Sequence, residues 1–204
     1  MKVTALQPVN KTKWKVELDG QFAFVLYKGE LSRFGIKEGT ALSDETYTQI
    51  QKEIVLKRAK LKAMHLLTDM ARTESGLREK LRQGMYTEEI VEQAVAYVKS
   101  FGYLDDYKYA EQFIDSRKVS KSEREIRMIL RNKGISPEII DQAFDNSGTE
   151  NGEQAAIRTL IRKKHINLYT ATEQELHKLY NYLARKGFRY EDVRQVIQNY
   201  DENA

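Results

Sequence analysis

Basic side chains at helical spacing are the residues of this 204-residue chain that best fit a binding chemistry. Arg124, Arg127 and Arg131 follow one another at intervals of three and four residues. At about 100° per residue they lie within roughly 60° of one another on one helix face. Like charges at this spacing repel each other, so a purely structural helix would gain from interspersed acids. A negatively charged partner therefore explains the pattern better than the alternative, a merely solvated face.

A similar excess of basic over acidic residues recurs in three stretches of the chain. The partner supplying negative charge is either a polyanion or an acidic protein, and contacts of this kind weaken as salt rises. We predict that the following side chains contact it: Lys57, Arg58, Lys60, Lys62, Arg72, Arg78, Lys80, Arg82, Arg117, Lys118, Lys121, Arg124, Arg127, Arg131, Lys133, Arg158, Arg162, Lys163 and Lys164.

Catalytic chemistry finds little support in the residue types. The chain has no cysteine, which excludes disulfides, Cys-ligated metal centres and a thiol nucleophile. The glycine-rich loops that hold nucleotide phosphates are absent from the sequence. No nucleophile with a neighbouring base is visible, so we expect a protein that is not an enzyme and uses no cofactor.

Metal binding is also disfavoured by residue spacing. His65, His165 and His177 lie far apart in sequence and lack the i, i+4 partner spacing of helical metal sites. Asp105 and Asp106 are adjacent at a loop, where capping of the helix that follows is the favoured role over Mg²⁺ binding. We therefore predict no metal site.

Composition predicts a mainly helical protein. Glycine and proline number 11 and 2, so helix breakers are scarce. The net charge is +4, and the longest apolar run, Ala94–Val98, falls far short of the roughly 20 residues of a membrane span. We expect a cytoplasmic protein without a membrane contact.

The first forty residues have the period of strands. Apolar and polar residues alternate in Lys13–Leu18, and Asp19-Gly20 is a favoured turn before Gln21–Leu26. The pattern predicts a β-hairpin, with Val3–Leu6 as a third strand.

A two-residue turn fixes the expected register of this hairpin, pairing Leu18 with Gln21 and Trp14 with Val25. The predicted faces carry Trp14, Val16, Leu18, Ala23 and Val25 on one side and Phe22, Phe24 and Leu26 on the other.

Beyond Ser43 the sequence predicts a three-helix unit of about 50 residues used three times. Gly84, Gly134 and Gly187 each follow an amphipathic segment where a left-handed residue ends a helix. The first helices of the units are expected at 56–70, 107–117 and 153–164. The second helices are expected to begin at Thr73 or Ser75, at the Ser120-x-x-Glu123 box, and at the Thr172-x-x-Glu175 box.

The predicted organisation is an N-terminal β module over 1–42, a linker helix with unit one over 43–102, unit two over 103–147, and unit three over 148–204. Residues 146–152 are expected to form a hinge. The fold class is mainly α, with tandem three-helix units in an elongated, curved arc and a small N-terminal three-strand module.

Three motifs in a fixed order resemble the RecX family of bacterial regulators of the RecA recombinase. They are Arg72-x-x-Ser75-x-x-Arg78-x-x-Leu81, Gly102-Tyr103-Leu104-Asp105-Asp106-x-x-Tyr109-Ala110 and Ile126-x-x-x-Leu130-x-x-Lys133-Gly134-Ile135. The resemblance covers about 56–204. Two departures are Lys121-Ser122-Glu123 where the family commonly has Lys-Gly, and a leucine three rather than four residues before the glycine of repeat one.

The resemblance implies a non-enzymatic modulator that binds RecA and its DNA filament and mainly inhibits recombination, with a role in DNA repair and the SOS response. DNA is expected to bind weakly, and the protein is expected to be a monomer. The alternative is a helix-turn-helix-like protein that binds DNA without RecA, for which a single recognition helix would carry the base contacts. Basic residues spread over all three units favour backbone or filament contact.

Overall fold

The computed structural model describes residues 1–148 and 152–200. The chain divides into two compact units, an N-terminal unit over Met1–Asp105 and a C-terminal unit that begins at Asp106. Residues 149–151 of the expected hinge and 201–204 of the expected third repeat lie outside the described part. None of the helices in that part is long and apolar enough to cross a membrane.

The N-terminal unit opens with a three-stranded antiparallel sheet in the order β1 (Val3–Pro8), β2 (Lys13–Leu18), β3 (Gln21–Tyr27). The hairpin and the third strand are therefore confirmed. The turn at Asp19-Gly20 has positive φ at both residues, which is the conformation that a twisted two-residue hairpin turn requires.

The predicted register of the hairpin is wrong beyond its first pairs. Leu18 pairs with Gln21 as expected, but Trp14 pairs with Leu26 rather than Val25. The cause is a β-bulge at Ala23, one extra residue between the partners of Glu17 and Val16. The bulge moves Phe24 and Leu26 opposite Val16 and Trp14, so the two predicted faces are mixed and Phe24 and Leu26 are fully buried.

Helices cover this sheet and continue into the first repeat. The helix α1 (Lys28–Arg33) follows β3 directly, and α2 (Asp44–Gln49) begins at the cap Ser43. A π-helical turn over Ile50–Leu56 joins α2 to α3 (Lys57–Asp69), which packs on α4 (Glu74–Gln83) and α5 (Glu88–Ser100). One apolar core runs from Val3 in the sheet to Val98 in α5.

The C-terminal unit contains the second and third repeats. The second repeat consists of α6 (Asp106–Arg117), α7 (Glu123–Asn132) and α8 (Pro137–Asn146). The third consists of α9 (Gly152–Lys163), α10 (Glu173–Arg185) and α11 (Tyr190–Gln198). Each repeat has its own apolar core. The three-helix repeats are confirmed, and the boundaries of the four predicted domains remain predictions.

The start of α7 corrects one predicted cap. The side chain of Ser122, not Ser120, accepts the backbone N–H of Glu125 at 3.1 Å. The caps at Thr73 and Thr172 are confirmed, and Thr172 forms the expected reciprocal box with Glu175. Two overlapping Ser-x-x-Glu matches preceded α7, and only the second is used.

All three repeats end their second helix with the same hydrogen bonds. A fully buried leucine carbonyl accepts one N–H from the residue three positions later and another from the residue five positions later. The leucines are Leu81, Leu130 and Leu183, and the longer bonds measure 3.5, 3.2 and 3.2 Å. This is the Schellman arrangement, which requires a left-handed residue four positions after the leucine.

The residue in that left-handed position differs in repeat one. Gly134 and Gly187 occupy it with φ of 80° and 93°, but in the first repeat Met85 occupies it with φ of 59°. Gly84, whose φ is −76°, is the residue before it, so the prediction of a left-handed Gly84 is wrong. The short leucine-to-glycine spacing of this repeat thus reflects a displaced glycine, not an altered turn.

Replacement of Met85 by glycine is expected to stabilise the N-terminal unit. A side chain in the left-handed conformation costs roughly 1–2 kcal/mol, and the greater freedom of glycine in the unfolded chain offsets about half of this. Met85→Gly should raise the free energy of unfolding by about 0.5–1 kcal/mol. This change can be measured by urea denaturation followed by the fluorescence of Trp14. Trp14 is the only tryptophan of the chain and packs against the core of this unit.

The matched control is Met64→Gly, an exposed methionine inside α3. There glycine should lower the free energy of unfolding by about 1 kcal/mol, because its helix propensity is poor. A loss of stability in both variants would contradict the strain assigned to Met85.

Candidate functional site

Six of the predicted contact residues form ion pairs with acidic residues in the described part of the protein. They are Arg58, Arg78, Arg82, Lys118, Lys121 and Arg127. Each has an acidic partner close in sequence or on a packed neighbouring helix, which the linear pattern of basic residues did not reveal. These side chains have less charge to offer a partner than their number in the sequence suggests.

Arg58 has a structural role in the N-terminal unit. Its guanidinium group donates to both carboxylate oxygens of Glu30 at 2.5 and 2.7 Å and to the carbonyl of Val25 at 3.0 Å. It also lies over the ring of Tyr27, 4.6 Å from the ring centroid. Arg58 therefore ties α3 to the β-sheet and α1.

Arg78 and Arg82 on α4 form a network with acids of the same repeat. Arg78 pairs with Glu74 and Glu92, and Arg82 pairs with Glu88. Hydrogen bonds from these arginines hold the pKa values of Glu92 and Glu88 below their usual range. Arg78 and Arg82, which the sequence predicted as partner contacts, are therefore paired with acids of the same repeat.

Other predicted cations lie over aromatic rings or donate to neutral acceptors. Lys60 covers Tyr97, Arg117 covers Phe113, Lys133 covers Tyr109 and Phe113, and Lys164 covers Tyr182. Arg72 donates to the Leu66 carbonyl, and Lys80 donates to Gln83. A cation over a ring keeps its charge.

Seven predicted residues form no ion pair, ring contact or side-chain hydrogen bond among residues 1–148 and 152–200. They are Lys57, Lys62, Arg124, Arg131, Arg158, Arg162 and Lys163, and all except the half-buried Arg158 are exposed. Arg124 and Arg131 belong to the predicted arginine face of α7. That face is confirmed as one surface, because Arg124, Arg127 and Arg131 line the same cleft.

The cleft is an open space of about 930 Å³ within the C-terminal unit. Its lining includes the arginine face of α7, Glu153 and Gln154 of α9, Phe188 and Arg189 before α11, and Asp192. Arg189 lines it, although sequence reasoning did not include that residue among the predicted contacts. We call this space the arginine cleft.

Arg127 differs from its two neighbours in the arginine cleft. It pairs with Glu123 one turn earlier on α7 and with Asp141 on α8, and its guanidinium lies over Phe144, 4.3 Å from the ring centroid. Arg127 therefore joins α7 to α8, whereas Arg124 and Arg131 have no acidic partner within residues 1–148 and 152–200.

A serine hydroxyl group links the second and third repeats beside the arginine cleft. Ser122 caps α7 and donates a hydrogen bond of 2.6 Å to the carbonyl of Lys186 at the end of α10. A Cβ added to Gly187 would lie 2.9 Å from this hydroxyl and 3.3 Å from Cβ of Arg124. Gly187 therefore serves both the left-handed turn and the close approach of the two helices.

Glu153 of α9 makes a second link to the start of α7. Its Oε1 accepts the backbone N–H of Glu123 at 2.6 Å. Its Oε2 is buried with no hydrogen-bond partner in the described part of the chain. Burial raises the pKa of Glu153, because the charged carboxylate loses hydration and faces Asp192 and Glu123.

Metal ligation has no candidate in this region. Across the described residues, no group of three or more His, Asp or Glu side chains is placed to hold an ion. Asp106 is the first residue of α6, and Asp105 lies directly before it. A carboxylate at this end of a helix is stabilised by the positive end of the helix dipole.

Three family models match the chain, and each covers one repeat. They are described as the first, second and third three-helix domains of RecX, and they match residues 59–97, 105–143 and 152–197. The chain belongs to the RecX family. The arrangement of three RecX domains agrees with the repeats that the hydrogen bonds and cores define.

Curated relatives extend the similarity over almost the whole chain. The regulatory protein RecX of Leuconostoc citreum is 30% identical over 198 residues, which are 94% of this chain and 74% of the relative. The regulatory protein RecX of Caldanaerobacter subterraneus subsp. tengcongensis is 30% identical over 187 residues, 91% and 92% of the two chains. These relatives are named as regulators.

Solved structures share the fold. A crystal structure of regulatory protein RecX matches with a TM-score of 0.64 and 22% identity, covering 98% of this chain and all of the other. The structure of RecX from Lactobacillus salivarius matches with a TM-score of 0.58 and 20% identity, covering 70% and 94%.

Loss of the Ser122 hydroxyl is expected to loosen the start of α7. Ser122→Ala removes a helix cap and leaves the Lys186 carbonyl without this donor, a change of about 1–3 kcal/mol. Amide hydrogen exchange at Glu125 should accelerate accordingly. Ser120→Ala is the matched control and should stay within about 0.5 kcal/mol, because Ser120 donates only to the nearby Arg117 carbonyl. Equal effects of the two substitutions would contradict the role of Ser122.

The raised pKa of Glu153 predicts a pH dependence. The folded state holds this proton more tightly than the unfolded state, so the contribution to stability falls as pH rises above about 4.5 and levels off above the folded pKa. Glu153→Gln keeps an acceptor for the Glu123 N–H without the titration. The wild-type free energy of unfolding should decline relative to the variant across that window in pH-dependent denaturation. The same dependence of the free energy of unfolding on pH in both proteins would contradict the raised pKa of Glu153.

Proposed function

We propose that this chain binds RecA and its DNA filament and restrains recombinase activity without catalysing a reaction. Membership in a family of regulatory proteins across all three repeats is the observation that carries the proposal. The resemblance of the motifs names RecA as the regulated protein. The proposed site of action is the cytoplasm, with the chain acting as a monomer.

The distribution of free charge supports a binding role. Arg124, Arg131 and Arg189 line one cleft without an ion-pair partner in the described residues, and Lys57 and Lys62 are exposed on α3. The favoured contacts are therefore these residues together with Arg158, Arg162, Lys163 and the ring-covering cations. Arg58, Arg78, Arg82 and Arg127 contribute to the fold first, and their removal is expected to weaken binding through lost structure.

Binding alone is enough to inhibit RecA, because the bound protein occupies surfaces of the filament. A protein that contacts RecA protomers and phosphates along a filament competes with the second DNA molecule of strand exchange. It also competes with the RecA protomers that would extend the filament. Charged contacts of this kind weaken steeply with ionic strength, because counterions return to the phosphates and acidic residues when the protein leaves.

RecA assays test the proposal directly. Stoichiometric addition of the chain should slow both DNA strand exchange and DNA-dependent ATP hydrolysis by RecA, and the effect should weaken as salt is raised. The double variant Arg124→Ala with Arg131→Ala should inhibit at least fivefold less well, since contacts of this kind each contribute about 1 kcal/mol or more.

The control is Arg185→Ala with Arg194→Ala, two exposed arginines of the same unit that do not line the arginine cleft. This variant has the same net charge as the first and should inhibit like the wild type. Unchanged RecA turnover with the wild-type chain would contradict the proposed function. Tight binding to bare duplex DNA with no effect on RecA would favour the DNA-binding alternative.

A further inference from the structure

An exposed apolar side chain also lines the arginine cleft. Met128 is 56% exposed and lies on α7 one turn after Arg124 and three residues before Arg131. The three side chains share one helix face, opposite the buried Ile126 and Leu130. The apolar side chain of Met128 is not stabilised by its exposure to water. It is well suited to contact a partner's apolar group, because a methionine side chain is flexible and polarizable.

The charges of the cleft are mixed rather than uniformly positive. Four arginines line it, but so do the carboxylates of Glu123, Glu153 and Asp192. A phosphodiester backbone in this space would approach those carboxylates and would leave Met128 against a highly charged chain. A protein segment can place its acids beside the free arginines and an apolar side chain on Met128.

We propose that the arginine cleft receives a protein segment in which acidic residues flank an apolar side chain. The free guanidinium groups of Arg124, Arg131 and Arg189 pair with the acids, and Met128 contacts the apolar residue. The inference rests on the proposed function only in taking RecA as the protein that supplies this segment.

The walls of the cleft are fixed before the segment arrives. Ser122 joins the start of α7 to the end of α10, and Glu153 joins α9 to the same turn of α7. Gly187 lets Arg124 lie against the loop that carries Arg189. A site that is already ordered loses less conformational entropy on binding, which favours specific recognition.

Methyl NMR of the full chain tests the occupant of the cleft without RecA. The chain has five methionines, so labelled methyl groups give few signals, and Met128→Ala identifies the signal of Met128. Two synthetic acidic peptides serve as probes, identical except for leucine or serine between glutamates. The leucine peptide should shift the Met128 signal at least fivefold more than the serine peptide at equal concentration.

Exposed methionines elsewhere provide internal controls. Met64 and Met70, which are 37% and 58% exposed, should not shift with either peptide. Arg124→Ala with Arg131→Ala should abolish the Met128 response. An equal response to both peptides, no response, or a larger response to single-stranded oligothymidylate would overturn the proposal, the last outcome assigning the cleft to nucleic acid.

Binding to RecA filaments separates this inference from the proposed function. Met128→Ala should weaken filament binding about fivefold and leave binding to oligothymidylate unchanged, while Met64→Ala should alter neither. Wild-type binding to filaments that is insensitive to Met128→Ala, with no peptide response, overturns the inference and leaves the function standing. A leucine-specific peptide response without any RecA binding overturns the function and supports the cleft as a protein-docking site.

Discussion

One backbone constraint shapes every repeat, namely the left-handed residue that ends the second helix and turns the chain into the third. The turn lets a buried leucine carbonyl accept two hydrogen bonds in each repeat and brings the following hydrophobic residue onto the core. At Gly187 the same turn also passes against Ser122 of the neighbouring repeat. The shape of the arginine cleft therefore depends on Gly187. Another residue would be strained in the left-handed conformation, and its Cβ would clash with the Ser122 hydroxyl.

The second constraint is the competition between internal and external partners for positive charge. Arg127 and Arg78 find carboxylates both on their own helix and on the next one, so their charge stabilises the repeats. Arg124 and Arg131 line the same cleft as Arg127, but neither forms an ion pair among the described residues. The presence of acidic partners on α7 and α8 thus distinguishes Arg127 from its two neighbours on the same helix.

The sequence was sufficient for the architecture because the relevant signals are local. Alternation around Asp19-Gly20, the boxed cap at Thr172 and the glycine-ended helices each predict an element from neighbouring residues alone. The failures required tertiary information. The bulge at Ala23 depends on strand pairing, and the choice of Ser122 over Ser120 depends on the Lys186 carbonyl. Met85 shows that a left-handed position can be occupied by a residue that gives no sequence signal.

The candidate site was predictable only in outline for the same reason. Helical spacing placed three arginines of α7 on one face, but Asp141, which pairs with Arg127, and Arg189, which lines the same cleft, belong to other parts of the chain. Met128 carried no charge and so escaped a search for basic residues. Electron microscopy of the chain bound to RecA filaments tests the account most directly. We expect α7 to face RecA side chains, with Met128 in contact with them. Filaments without the chain, or with α7 turned toward solvent, would contradict it.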